Sequence, residues 1–106
     1  MTNVDNIVAY PSFNSIVIER FGQDPEFLKL CLEISFDNYN KEGNLFLLRE
    51  TLKQAAQVKG MTQLAKETGL SRQYLYKMVS EKGNPTIETL KLVLESFGFR
   101  MKISLI

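Results

Sequence analysis

The stretch MTQLAKETGLSRQYLYKM, residues 61 to 78, constrains the fold more than any other part of the chain. Leu64, Ala65 and Thr68 share one side of a first short helical pattern, and Leu75, Met78 and Val79 share one side of a second. Gly69-Leu70-Ser71 separates the two. Gly69 admits the positive φ of a sharp turn, Leu70 plugs the corner, and the Ser71 hydroxyl can cap the second helix. Ala65 is small where the two axes must approach. Two short helices joined through a glycine-containing turn of three to four residues read as a helix-turn-helix.

With Leu75, Met78 and Val79 turned inward, about 100° per residue turns Gln73, Lys77 and Ser80 outward. Tyr76 flanks them and Arg72 stands at the helix N-terminus. From Ser71 onward no acid occurs before Glu81. Gln can bond bidentately to adenine, Arg to guanine, and Tyr can lie against sugar or a thymine methyl, while Ser71 and the helix start suit a phosphate. The same pattern also fits a plain helical corner with a solvated polar face.

The rest of the chain frames this pair. SIVIERF (Ser15 to Phe21) alternates and predicts a short strand behind an N-terminal arm, so residues 1 to 23 are set apart from a domain spanning 24 to 106. Asp24 and Pro25 start a helix with Phe27, Leu28, Leu30, Cys31, Ile34 and Phe36 as its apolar stripe, ending near Tyr39 before KEGN. Asn44 caps a third pattern, LFLLRETLKQAAQVK, whose Leu45, Leu48, Leu52, Ala55 and Ala56 recur on one face until Gly60. Thr86 caps a last helix with Ile87, Leu90, Val93, Leu94 and Phe97 as its buried stripe, stopped by Gly98. RMKISLI alternates as a strand. The expected fold is mainly α, a compact five-helix repressor-like bundle with a short C-terminal strand. That strand would pair with Ser15 to Phe21, with its copy in a second subunit, or with another protein.

Composition removes several function classes. The 106 residues hold one cysteine, Cys31, and no histidine, which leaves no internal disulfide, Cys/His zinc site or His-based catalytic pair. Without a glycine-rich phosphate loop or a metal-ligand cluster, the reading is a non-enzyme without cofactor. No apolar run has the length of a membrane span and no signal stretch opens the chain, so the expected compartment is the cytoplasm. A net charge of +1 exerts no global pull on nucleic acid. Its distribution is uneven: residues 60 to 106 carry seven basic and four acidic side chains, a net of +3, and residues 1 to 59 carry six and eight, a net of −2.

The run KGMTQLAKETGLSRQYLYKMVSEKGNPTIETLKLVLESFGFRMKI resembles the addiction-module antidote (HigA-like antitoxin) family, within the Cro/repressor-type (Xre) helix-turn-helix proteins. The likeness is dense from Lys59 to Ile103 and looser over the two preceding helices. It implies a DNA-binding antitoxin that represses its own operon as a homodimer and neutralises a neighbouring toxin, commonly a small RelE-type ribonuclease. It places Gln63 on phosphate and Ser71, Arg72, Gln73, Tyr76 and Lys77 on the operator, in double-stranded DNA. The first helix departs from the broad repressor pattern in being short, Thr62-Gln63 running straight into Leu64-Ala65. A plain regulator without a toxin, and a helical module that docks protein instead of DNA, are the competing readings; gene neighbourhood and the salt dependence of binding separate them.

Overall fold

The structure, a computed structural model, describes residues 12 to 105. These form six helices: α1 (Phe13–Gln23), α2 (Pro25–Glu42), α3 (Phe46–Lys59), α4 (Met61–Thr68), α5 (Arg72–Met78) and α6 (Ile87–Ser96). The mainly helical class is as expected; the count of five and both strands are not. Residues 1 to 11 of the expected arm and Ile106 of the expected terminal strand lie outside the described residues.

The first correction is α1. Ser12 Oγ accepts from the Ser15 N–H at 3.0 Å and caps a helix where a strand was expected. Alternation over seven residues does not distinguish the two periods here, because Val17 and Phe21, four apart, also share one helical face. Phe21 is buried, Val17 packs against the core, and a Cβ on Gly22 would already touch Val58 of α3 at 3.4 Å. Tertiary burial on α3 overrides the β-branched propensity.

Asp24 closes α1 and opens α2: its backbone N–H donates to Arg20 O, and its Oδ1 accepts from the Phe27 N–H at 3.1 Å. Pro25 takes the first helical position, where no N–H is needed. α2 runs past Tyr39 to Glu42, because Gly43, at φ 74°, supplies the left-handed cap. α3 is central, touching α1, α2 and α4; α4 in turn touches α5 and α6. Leu48, Leu52, Ala55 and Ala56 of the expected α3 stripe are at most 2% exposed, whereas Leu45 is the half-buried N-cap in place of Asn44, whose Oδ1 accepts from the Phe46 N–H at 3.2 Å just before the helix.

The stripes of α2 and α6 differ from expectation. α2 buries Leu28, Leu32 and Ser35, and leaves Leu30 and Ile34 about half exposed. Ser35 tolerates burial because its hydroxyl donates to Leu32 O at 2.8 Å. In α6 Ile87 is 75% exposed, and Thr89 is buried in its place with Leu90, Val93 and Leu94.

The second strand correction is at the C-terminus. Phe99 N–H donates to Leu94 O at 2.9 Å and Phe99 packs against the core; beyond it, no backbone hydrogen bond is made among the described residues. Residues 99 to 105 carry no regular element, since a strand is defined by a partner and α1 is not one.

Candidate nucleic-acid interface on α5

α4 and α5 meet as the spacing predicts. Gly69 adopts φ 76° and its N–H donates to Ala65 O at 2.9 Å, closing α4. Thr68 ties the corner from inside: its hydroxyl donates to Leu64 O at 2.8 Å and accepts from the Leu70 N–H at 3.2 Å. Ser71 Oγ then accepts from the Tyr74 N–H at 3.0 Å and caps α5. Leu64 and Leu75 have no exposed surface, and Met78 and Val79 are buried beside them.

The side chains expected to read DNA are placed in two groups. Arg72, Gln73, Tyr76 and Lys77 are exposed together on α5, with Ser71 at its start. The ion pairs among the described residues engage Arg20, Lys41, Lys59 and Lys91, so neither Arg72 nor Lys77 is neutralised by a carboxylate. Gln63 stands apart, on α4, where its Nε2 donates to Glu67 Oε2 at 2.8 Å. Its amide is engaged along its own helix.

Four contacts orient α5, and only the Thr86 cap was anticipated from sequence. The Tyr74 hydroxyl and Thr89 Oγ1 are 3.0 Å apart, and Thr89 Oγ1 is 2.9 Å from Thr86 Oγ1, which also accepts the Thr89 N–H. Tyr74 therefore anchors α5 to the start of α6. The Arg49 guanidinium of α3 donates to Gly83 O at 3.2 Å and holds the turn after α5. On the other side Tyr76 borders a shallow surface cleft with Lys53 and Gln57 of α3. Lys53 and Gln57 were missed because no local pattern links them to a helix some twenty residues later.

The far end of α4 is set by Lys59. Its ammonium pairs with Glu67, donates to Ser96 O and lies 4.7 Å from the centre of the Phe97 ring. One side chain thereby joins the end of α3 to α4 and α6. The hydrogen bond from Lys59, then that from Gln63, holds the Glu67 carboxyl below its ordinary pKa, against a small opposing effect of burial. Among the described residues no group of three or more His, Cys, Asp or Glu side chains could hold a metal ion, and no helix is long and apolar enough to cross a membrane.

The model of the family described as "Probable addiction module antidote protein" matches residues 32 to 105, more than two thirds of the chain. The chain belongs to this family. The match starts in α2 and takes in α3 to α6 and the C-terminal segment after them. A protein of Haemophilus influenzae, described as an "Uncharacterized protein", is 29% identical over 72 residues, covering 68% of this chain and 74% of that protein. The comparison with solved structures gives no match.

Proposed function

We propose that the chain is the antitoxin of a type II toxin-antitoxin module and represses its own operon by placing α5 in the major groove of operator DNA. The observation that carries the DNA half is the α5 face: Arg72, Gln73, Tyr76 and Lys77 stand exposed on a helix whose inner side is fully packed, and neither cation forms an ion pair among the described residues. Arg and Gln are the side chains that read guanine and adenine edges, and a rigid helix presents them at fixed spacing. The antitoxin half is supported by the family's antidote description. Its target is a toxin encoded beside it, and the HigA-like, Xre-type resemblance makes a small RelE-type ribonuclease the first choice.

Ser71 and Lys77 serve the phosphates in this reading. Arg72 and Gln73, in the first turn of α5, approach base edges first. Gln63 contributes only by exchanging Glu67 for a phosphate, so it ranks behind the α5 residues. Gel shift on the upstream DNA of the operon tests the proposal. Arg72→Ala with Gln73→Ala should lose specific binding while the helical content is kept, and the wild-type affinity should fall with log salt at a slope near −0.9 per phosphate contacted. Unchanged binding by the double variant would sink the DNA half. Co-expression with the adjacent small reading frame tests the toxin half; a chain that neither rescues growth nor co-purifies is not its antitoxin.

A further inference from the structure

One side of α3 runs along α5. Arg49, Lys53 and Gln57 stand four residues apart on it, so they form a single ridge. Arg49 reaches the turn after α5 and donates to Gly83 O at 3.2 Å, which ties this ridge to the end of α5. One and two turns further on, Lys53 and Gln57 border a cleft that Tyr76 of α5 closes on the other side, with Gly60, Met61 and Val79 completing its wall. Both side chains are exposed, and Lys53 enters no ion pair among the described residues. No acidic side chain lines the cleft, so an ammonium and an amide face a hollow that suits an anion. The start of α4 has the opposite chemistry. Gln63 Nε2 donates to Glu67 Oε2 at 2.8 Å, and Glu67 also takes the Lys59 ammonium. These hydrogen bonds hold the Glu67 carboxyl below its ordinary pKa and keep it charged at neutral pH. A phosphate placed on Gln63 must displace that carboxylate and then face it at close range, which is repulsive.

We infer that Lys53 of α3, with Gln57 beside it, holds the DNA backbone phosphate that flanks α5, and that Gln63 of α4 does not. With α5 in the major groove, the sugar-phosphate strand bounding the groove on the α3 side passes over the Tyr76 cleft. Lysine suits this place because its ammonium is a point charge on a flexible four-carbon stem, which needs no fixed fork geometry to meet a phosphate. A backbone contact carries no sequence information; it fixes the register and orientation of the helix that reads. The roles therefore divide by element. Arg72 and Gln73 of α5 choose the sequence, and Lys53 of α3 sets how α5 lies in the groove. Because Arg49 already binds the ridge to Gly83, the distance between the reading residues and the phosphate contact is fixed by the fold rather than by a loop.

The inference rests on the operator-binding reading for its ligand. Its test is the salt dependence of binding by the full chain, measured between about 50 and 200 mM salt on the operon's upstream DNA and on a scrambled duplex of the same length. Lys53→Ala should weaken binding to both duplexes by the same factor and make the slope of log affinity against log salt shallower by about 0.9, one phosphate's worth. Lys53→Arg should restore the slope. Gln57→Ala should weaken binding with the slope unchanged, because it removes a neutral donor, and Gln63→Ala should change neither. Lys29→Ala is the control for charge acting at a distance: Lys29 is exposed on α2 and outside every ion pair among the described residues, and it borders the groove shared with Ile87 of α6 instead of the Tyr76 cleft. It should leave the slope as it is. Lys53 is exposed, so the melting temperature of its variants should match that of the wild type. A slope untouched by Lys53→Ala, a slope lowered equally by Lys29→Ala, or a phosphate lost with Gln63→Ala would each overturn the inference. If Arg72→Ala with Gln73→Ala still abolishes the preference for the upstream DNA, such a result sinks this inference alone; a wild-type chain that binds neither duplex sinks it together with the operator reading.

Discussion

The Tyr74 hydroxyl of α5 and the Thr89 hydroxyl of α6 lie 3.0 Å apart, and this bond fixes the start of α5 against the rest of the bundle. Thr89 is buried, with Thr86 as its other partner, so its oxygen is satisfied inside the protein. Tyr74→Phe removes one member of the chain and should cost ~0.5–1.5 kcal/mol in urea unfolding. Gel-shift affinity measured well below the unfolding transition should change far less than for Arg72→Ala, because the Tyr74 hydroxyl is engaged by Thr89 and holds the helix.

Gly83 is the tightest point behind α5. A Cβ there would stand 2.0 Å from Met78 O, a backbone atom that cannot swing away. Gly83→Ala should therefore destabilise by ~2 kcal/mol or more. Gly69→Ala meets no atom within 4 Å and should lose ~1 kcal/mol from its positive φ alone. Thermal melts of the two variants should rank them in that order.

Acid should loosen the α3–α4–α6 junction through Glu67. Its pKa in the folded chain is lowered, first by the hydrogen bond from Lys59. Its contribution is thus complete above the ordinary value of 4.5 and disappears as the pH falls through the lower folded value. Urea midpoints of wild type and Glu67→Gln should differ at pH 6 and converge as the pH falls below the lowered folded value. A gap that widens in acid would contradict this sign.

Cys31 should be a slow thiol. Partial burial pushes its pKa up, and the nearby Arg20 charge opposes this only in part. Because the thiolate is the nucleophile, alkylation by iodoacetamide at pH 8 should run several-fold slower than for a free thiol and speed up in urea. Mass spectrometry of the quenched time course measures both.

Local chemistry wrote the corner into the sequence. Gly69, Ser71, Asp24 and Thr86 act within a few residues of themselves, so their caps and turns were legible, as was the α3 stripe repeating over four turns. The division of α5 into Leu75, Met78 and Val79 inside and Arg72, Gln73, Tyr76 and Lys77 outside follows from the 3.6-residue period, which also needs no distant information.

What the sequence could not decide was whatever depends on a neighbour far along the chain. SIVIERF became a helix because α3 offers a surface for Val17 and Phe21, and Leu30, Ile34 and Ile87 stayed exposed because no other helix among the described residues lies over them. Arg49 on Gly83, Tyr74 on Thr89 and Lys59 across three helices join residues 34, 15 and up to 37 positions apart. By itself the sequence determined that a helix starting at Ser71 would expose Arg72, Gln73, Tyr76 and Lys77; only the tertiary packing decided how that helix is held, because burial and long-range hydrogen bonds are properties of the assembled bundle.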